Sequence, residues 1–217
     1  SSSAARGWSI ANERHRRNQG FGDSIVDIAM VLINSSGRER TRRMRVRTFD
    51  HTDPNKGDRS LTTFLGPPNI EGTAFLTHTN IDKVDSQWMY LPALNRVRRI
   101  SASNMTQSFM GSEFTYEDLL SDEVSRYDYQ WLRDEGCGDL TCAVIDRRPK
   151  YSESAYSSQR VWIDLSEYRL MKVDYFGKDG SHIKTLQLLN YRAYLGLFWR
   201  AHRAEMNNHQ TSKATTL

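Results

Sequence analysis

Ile25-Val26-Asp27-Ile28-Ala29-Met30-Val31-Leu32, followed by Ser35-Ser36-Gly37 and then by Arg43-Met44-Arg45-Val46-Arg47-Thr48, reads as strand, turn and strand. In the first run Val26, Ile28, Met30 and Leu32 alternate with Ile25, Asp27, Ala29 and Val31. In the second, Arg43, Arg45 and Arg47 alternate with Met44, Val46 and Thr48. A period of two places such sets on opposite faces of a pleated strand, so the arginine run is one face of a strand.

Working outward, the same period continues. A loop at residues 53–58 leads to a strand at 60–65, which Gly66-Pro67-Pro68 stops. Further strands are predicted at 73–79, 86–91, 96–101, 126–133, 141–147, 158–164, 168–175, 182–191 and 197–205. Their separators are mostly turn-like, among them Leu165-Ser166-Glu167 and Gly177-Lys178-Asp179-Gly180. Before them, Gly7 to Arg17 allows one amphipathic helix, ended at Asn18-Gln19-Gly20. Residues 104–120 differ in character, and there Thr115 and Asp118 form a capping box that opens one helical turn. About twelve antiparallel strands cannot remain a flat open sheet, so the fold class is mainly β, strongly curved or closed, with short helices as lids. The concave face is then filled by its own side chains or left as a ligand cavity.

Composition bounds the answer. At 217 residues the chain suffices for one sizeable domain, and no composition break or repeat divides it. The expectation is a single domain, 1–217, with residues 1–6 and 208–217 as flexible ends. With 38% hydrophobic and 26% charged residues and a mean hydropathy of -0.68, it is expected to fold with a polar surface. The longest unbroken apolar run is Ile28 to Ile33, far below the ~20 residues of a spanning helix. No apolar secretory segment precedes Trp8, which fits either a chain that is never exported or one already matured.

The net charge is +4 and the excess is largely arginine. Arg38, Arg40, Arg42, Arg43, Arg45 and Arg47 crowd around the single acid Glu39, and Arg96, Arg98 and Arg99 form a second cluster. Such runs meet polyanions or anionic membrane surfaces, or lie on a solvated strand face with their stems over apolar surface. Cys137 and Cys142 suit the two sides of a tight hairpin, where in an oxidising compartment they close a disulfide worth roughly 2 kcal/mol. That favours an exported protein. The six histidines lack metal-ligand spacing, so no metal and no cofactor is expected.

The segments Gln87-Trp88-Met89-Tyr90-Leu91-Pro92-Ala93-Leu94-Asn95-Arg96-Val97-Arg98-Arg99-Ile100 and Ser108-Phe109-Met110-Gly111-Ser112-Glu113-Phe114-Thr115-Tyr116-Glu117-Asp118-Leu119 are the most distinctive in the chain. With Ser60-Leu61 and Phe64, Gly72-Thr73-Ala74-Phe75-Leu76-Thr77, and Val161-Trp162-Ile163-Asp164 before Tyr168-Arg169, they resemble the outer-membrane lipoprotein-sorting family, relatives of the periplasmic LolA-like carriers. The resemblance runs from about Trp8 to Asn208. It implies an antiparallel half-barrel whose short helices cover an apolar cavity, and a periplasmic carrier of lipid or lipoprotein acyl chains that performs no catalysis. An inner-membrane lipid transporter or an outer-membrane acceptor is the implied protein partner. Family members usually continue past the position of Leu217. The alternative is a sensory or interaction module of the same fold, which detects lipoproteins and signals to a protein.

On that reading the ligand contacts are Met30, Leu32, Met44, Phe64, Trp88, Tyr90, Phe109, Met110, Phe114 and Trp162. Hydrophobic, aromatic and adaptable methionine side chains are what an acyl pocket requires. Arg43, Arg45 and Arg47 are the expected contacts to headgroups or a partner. Other classes fit less well. Ser112 lacks the second glycine of a nucleophile elbow and reads as a turn residue. Glu113, Glu117 and Asp118 read as capping residues or partners of Arg98 and Arg99. His202 and Glu205 fall on opposite faces of one strand, and Asp50, His51 and Asp53 read as a loop. No catalytic residue is assigned. Nucleic acid is not expected either, because aromatic and basic residues are not interleaved on one strand.

Overall fold

A computed structural model describes residues 2–53 and 55–217. Ser1, in the expected flexible N-terminal end, and Pro54, in the expected loop at 53–58, lie outside the described residues. Among the described residues one α-helix, α1 (Ser3–Asn18), precedes thirteen strands: β1 (Ser24–Ile33), β2 (Glu39–Phe49), β3 (Arg59–Gly66), β4 (Ala74–His78), β5 (Ser86–Leu91), β6 (Arg96–Arg99), β7 (Tyr127–Cys137), β8 (Leu140–Pro149), β9 (Tyr156–Asp164), β10 (Leu170–Gly177), β11 (His182–Tyr194), β12 (Phe198–Asn208) and β13 (Ala214–Thr216). They form one antiparallel sheet in the order β6-β5-β4-β3-β2-β1-β13-β12-β11-β10-β9-β8-β7, open between its end strands β6 and β7. The mainly β, hairpin-connected architecture is therefore as the alternation predicts. The thirteenth strand is an addition. It lies in the segment expected to be a flexible end, as the first turn of α1 does at the other terminus.

Contacts group the chain into two compact units. The first comprises the residues up to Gln19 with Asp122–Ala214, and the second Gly20–Ser121 with Thr215–Leu217.

In the first unit α1 starts four residues before the predicted helix, because the Ser2 hydroxyl accepts the Ala5 N–H at 3.2 Å and so caps it. Basic residues His15, Arg16 and Arg17 occupy the last turn, where the helix dipole favours them. Ile10 and Ala11 are buried, whereas Trp8 is half exposed. Gly7 permits the close approach of α1 to β7: a Cβ there would sit 3.0 Å from the Trp131 amide nitrogen and 3.2 Å from the Tyr129 Cβ. Strand β8 is buried on both faces, since Cys142, Ala143, Val144 and Ile145 are all fully inaccessible. Between β7 and β8 the Cys137–Cys142 disulfide spans a Cα–Cα distance of 5.9 Å across a turn in which Gly138 takes a φ of 64°. The predicted pairing is thus the observed one.

The Asp164 to Arg169 stretch has a structural role. Fully buried, Asp164 accepts hydrogen bonds from the Ser166, Glu167 and Arg169 amides, the Ser166 hydroxyl and the Arg169 guanidinium at 2.6–3.0 Å. Arg169 in turn lies 4.5 Å over the Trp199 ring. These bonds form the β9–β10 turn, with Tyr168 at a φ of 58°.

Two predictions follow from this packing. Gly7→Leu should lower stability by about 1–3 kcal/mol in urea unfolding, because the side chain has backbone in front of it. Burial opposes ionisation of Asp164, but Arg169 and the turn donors outweigh it and hold the carboxyl down at about 2, below the ordinary 3.8. A lowered carboxylate stabilises the fold fully above its unfolded value and loses that contribution as pH falls towards 2. Wild-type stability should therefore drop by about 2 kcal/mol more than that of Asp164→Asn between roughly pH 5 and pH 2.

Candidate functional site

In the second unit the register decides which side chains meet. Met30 lies opposite Arg42, Met44 opposite Phe64, Thr62 opposite Phe75, and Phe75 opposite Met89. Met30, Met44, Phe64, Phe75 and Met89 therefore share one face, and each is at most 4% exposed. Residues 100–121 cover that face. Phe109 packs 5.9 Å from Phe64 and 5.1 Å from Phe75 between ring centroids, and Tyr116 lies 5.7 Å from Phe75 and 5.9 Å from Phe109. Met105 and Phe114 are buried with them.

The cover is held by a short set of polar contacts. Within it the Phe109 N–H donates to the Phe114 carbonyl at 2.7 Å and the Glu117 N–H to the Met105 carbonyl at 2.7 Å. The capping box is formed in both directions, Thr115 N–H to Asp118 at 2.8 Å and Asp118 N–H to the Thr115 hydroxyl at 3.2 Å. Towards the strands, Gln87 donates to the Tyr116 carbonyl at 3.1 Å, Ser121 N–H donates to Asp85 at 2.7 Å, and Glu113 N–H donates to the Thr215 hydroxyl at 2.9 Å. The Arg42 guanidinium, alone among the arginines of β2 in hydrogen-bonding to the cover, donates to the Met110 carbonyl. Met110 and Gly111 take φ values of 51° and 72°, so Arg42 fastens a tight reversal of the chain.

Of the predicted ligand contacts, Met30, Met44, Phe64, Phe109 and Phe114 come together in this cluster, with half-buried Leu32 beside Met30 on the same strand face and half-buried Met110 in the cover. Trp88 and Tyr90 are not part of it. Trp88 pairs with Leu76 and Arg99, and Tyr90 with Ala74 and Val97, on the opposite face. Trp162 belongs to the first unit, where it packs with Cys142 and Val144 and its indole N–H donates to Glu135 at 2.6 Å. Arg43, Arg45 and Arg47 also lie on the face away from the cover, and Arg45 pairs with Asp27 at 2.7 and 3.0 Å. Phe75, Met89, Met105 and Tyr116 are contributors that sequence reasoning passed over. Alternation does not single out Phe75 and Met89, because each neighbours a large apolar residue of opposite parity.

Ser112 is the turn residue expected: it is buried, and its hydroxyl donates to the Phe109 carbonyl at 2.7 Å. Among the described residues no cluster of three His, Cys, Asp or Glu is placed to hold a metal ion. In the loop after β2, the Asp53 N–H donates to His51 Nδ1 and the His51 N–H to Asp58.

The first unit carries a second feature under α1. A cleft with about 10 Å³ open to water is lined by Ala11, Arg14, Asp122, Val124, Tyr129, Ile145, Arg147, Val161, Ile163 and Leu170. Asp122 bridges Arg147 at 2.7 Å and Arg14 of the helix. Burial opposes its ionisation, yet the two guanidinium groups outweigh that and hold the carboxyl well below the usual range. The helix thus rests on a few apolar contacts and this charged clasp, with Arg6–Asp134 at 2.6 Å nearer its start.

A family model described as an uncharacterized protein matches residues 56–217. A crystal structure from Vibrio parahaemolyticus, provisionally named an outer membrane lipoprotein-sorting protein domain, is 43% identical, with a TM-score of 0.94 over 98% of this chain and 89% of that one. The chain belongs to the outer membrane lipoprotein-sorting protein family. A DUF1329 family protein from Desulfovibrio piger is 27% identical, with a TM-score of 0.92 over 100% of this chain and 90% of that one. A LolA superfamily protein from Nitrosomonas europaea shares the fold, at 19% identity and a TM-score of 0.74 over the same shares. None of the curated proteins matches the chain.

In this family member the cover should be less stable than the sheet beneath it. Phe109→Ala is expected to cost about 3 kcal/mol and to speed amide exchange at residues 101–121, leaving β8 and β9 protected as in the wild type.

Proposed function

We propose that this family member is a periplasmic carrier that takes up a lipid, or the acyl chains of a lipoprotein, against the methionine and phenylalanine face of the second unit, without catalysing a reaction. The observation that carries the reading is the make-up of that face. Met30 and Met44 on one side and Met89 on the other flank Phe64 and Phe75, beneath a segment that packs Phe109 on them and is positioned by hydrogen bonds to the strands. Three methionines give a surface that adapts to chains of different shape. Each methylene withdrawn from water is worth about 0.8 kcal/mol, so one long acyl chain gains on the order of 10 kcal/mol. That is enough to replace Phe109 and Phe114 on the face as the cover moves aside. Family membership and the Cys137–Cys142 disulfide support the oxidising periplasm as the compartment. An inner-membrane lipid transporter as donor and an outer-membrane acceptor fit such a carrier as partners.

The occupancy of the same face by Phe109, Phe114 and Tyr116 favours a second reading, a module of this fold that senses lipoproteins and signals to a protein. The two differ in what the folded chain holds. For the carrier, native mass spectrometry of the purified chain should find bound lipid, and a fluorescent fatty acid should bind saturably and be displaced by lysophospholipid. A chain that carries no lipid and takes up no probe would overturn the carrier reading in favour of the sensor.

A further inference from the structure

The other face of the second unit holds what the proposed site leaves unused. Counting across the register from Asp27 opposite Arg45, this face carries Arg43, Arg45 and Arg47 of β2, Arg59 of β3 and Arg99 of β6. The carboxylates on the same strand face are Asp27 and Glu39, and Asp27 is already taken by Arg45. Arg43, Arg47, Arg59 and Arg99 are exposed and have no carboxylate partner among the described residues. Apolar side chains stand between these cations: Ile25 is 67% exposed, Val97 64% and Phe49 47%. Trp88 and Tyr90 lie half-buried on this face, with Arg99 5.7 Å over the Trp88 ring and the Tyr90 hydroxyl bonded to Asn95.

We propose that this face docks the protein on the surface of an anionic phospholipid bilayer, its arginines on headgroup phosphates and its exposed apolar side chains in the interface between them. The charge is complementary, since these four arginines form no ion pair among the described residues, and Asp27, whose field Arg47 shares, is bound by Arg45. The mixture is what selects a bilayer over an acidic protein. Isolated cations are sufficient for a protein partner, whereas Ile25 and Val97 in water between guanidinium groups gain only from a partner that is charged and apolar within a few ångströms. Trp and Tyr are the residues favoured at that depth. A lipid surface also needs no fixed geometry of acceptors, which suits arginines spread over strands β2, β3 and β6. The acids Asp50 and Asp58, in the loop beyond Arg59, accept the Gly22 and His51 amides, which places negative charge at one end of the face rather than within it.

The test is co-sedimentation of the whole chain with vesicles. Phosphatidylcholine vesicles containing roughly one-third phosphatidylglycerol should bind it in about 0.05 M salt and release it in about 1 M salt, with pure phosphatidylcholine binding weakly at both. Arg43→Ala with Arg47→Ala should reduce partitioning roughly twenty-fivefold, about fivefold per arginine. Arg43→Lys with Arg47→Lys should stay within about twofold of wild type, because a surface charge is read without bidentate geometry. Unfolding midpoints show whether the exposed-site variants remain folded. Equal binding to neutral and anionic vesicles, no binding to either, or a folded alanine variant that binds like wild type would overturn the proposal, and the second outcome would turn these arginines towards an acidic protein. The inference does not rest on the carrier reading. Loss of fatty-acid uptake with vesicle binding intact strikes only the carrier, and the reverse strikes only the docking face.

Discussion

The register between β1 and β2 assigns a side to the chemistry of the second unit. With Met30 opposite Arg42 and Asp27 opposite Arg45, the even positions of both strands face the cover and the odd positions face away. A slip of one residue would turn Arg43, Arg45 and Arg47 onto Phe64 and Phe75 and put Met44 in water. Burying three guanidinium groups without partners is prohibitive, so the arginine run itself enforces the register that buries the methionines. The hairpin turn adds a local determinant. The Asn34 side chain accepts the Ser36 and Arg38 amides at 3.0 and 2.9 Å, and Gly37 supplies the positive φ.

Both units solve the same problem, an apolar sheet face that needs a cover, and both fasten the cover with charge. In the first, α1 brings Arg14 to Asp122 and Arg147. In the second, Arg42 reaches the Met110 carbonyl. Apolar contacts such as those of Phe109 are non-directional and tolerate an exchanged partner, whereas a guanidinium on a single carbonyl has one geometry. A cover so held has two separable properties: its affinity for the face, which another apolar surface could match, and its closed position, which a few polar bonds define. A carrier needs that separation, because its cover must leave without the sheet unfolding.

Much of this was legible in the sequence. Alternation marked twelve strands, the hairpins and the disulfide, because each is specified within ten or so residues. The capping box of Thr115 and Asp118 is equally local. The start of α1 was missed because its cap, Ser2, precedes any amphipathic residue, and β13 because three residues, Ala214–Thr216, are too few to show a period. The site was legible only in part. In Gln87-Trp88-Met89-Tyr90 three successive large side chains compete for the face, and composition favours the aromatics. The pairing of β4 with β5 sets Met89 beside Phe75 instead and sends Trp88 and Tyr90 outward. Parity in a run without polar residues is decided by the neighbouring strand, which is information the run itself does not contain.

The arginine excess then separates into groups with different physics. Arg14, Arg147 and Arg169 are largely buried, carry fixed partners and stabilise the fold. Arg42 is half-buried: its stem lies on the apolar face and its head on a carbonyl. Arg43, Arg47 and Arg59 are solvated, form no ion pair with a carboxylate among the described residues, and contribute little to stability. A chain whose cations all served folding would place each beside a carboxylate. On the face away from the cover Arg43, Arg45, Arg47, Arg59 and Arg99 stand against Asp27 and Glu39, an excess of cations that ion pairing does not consume. Surface repulsion among Arg43, Arg47 and their neighbours is a small cost of the polar face that fixes the register, and an external anion removes it.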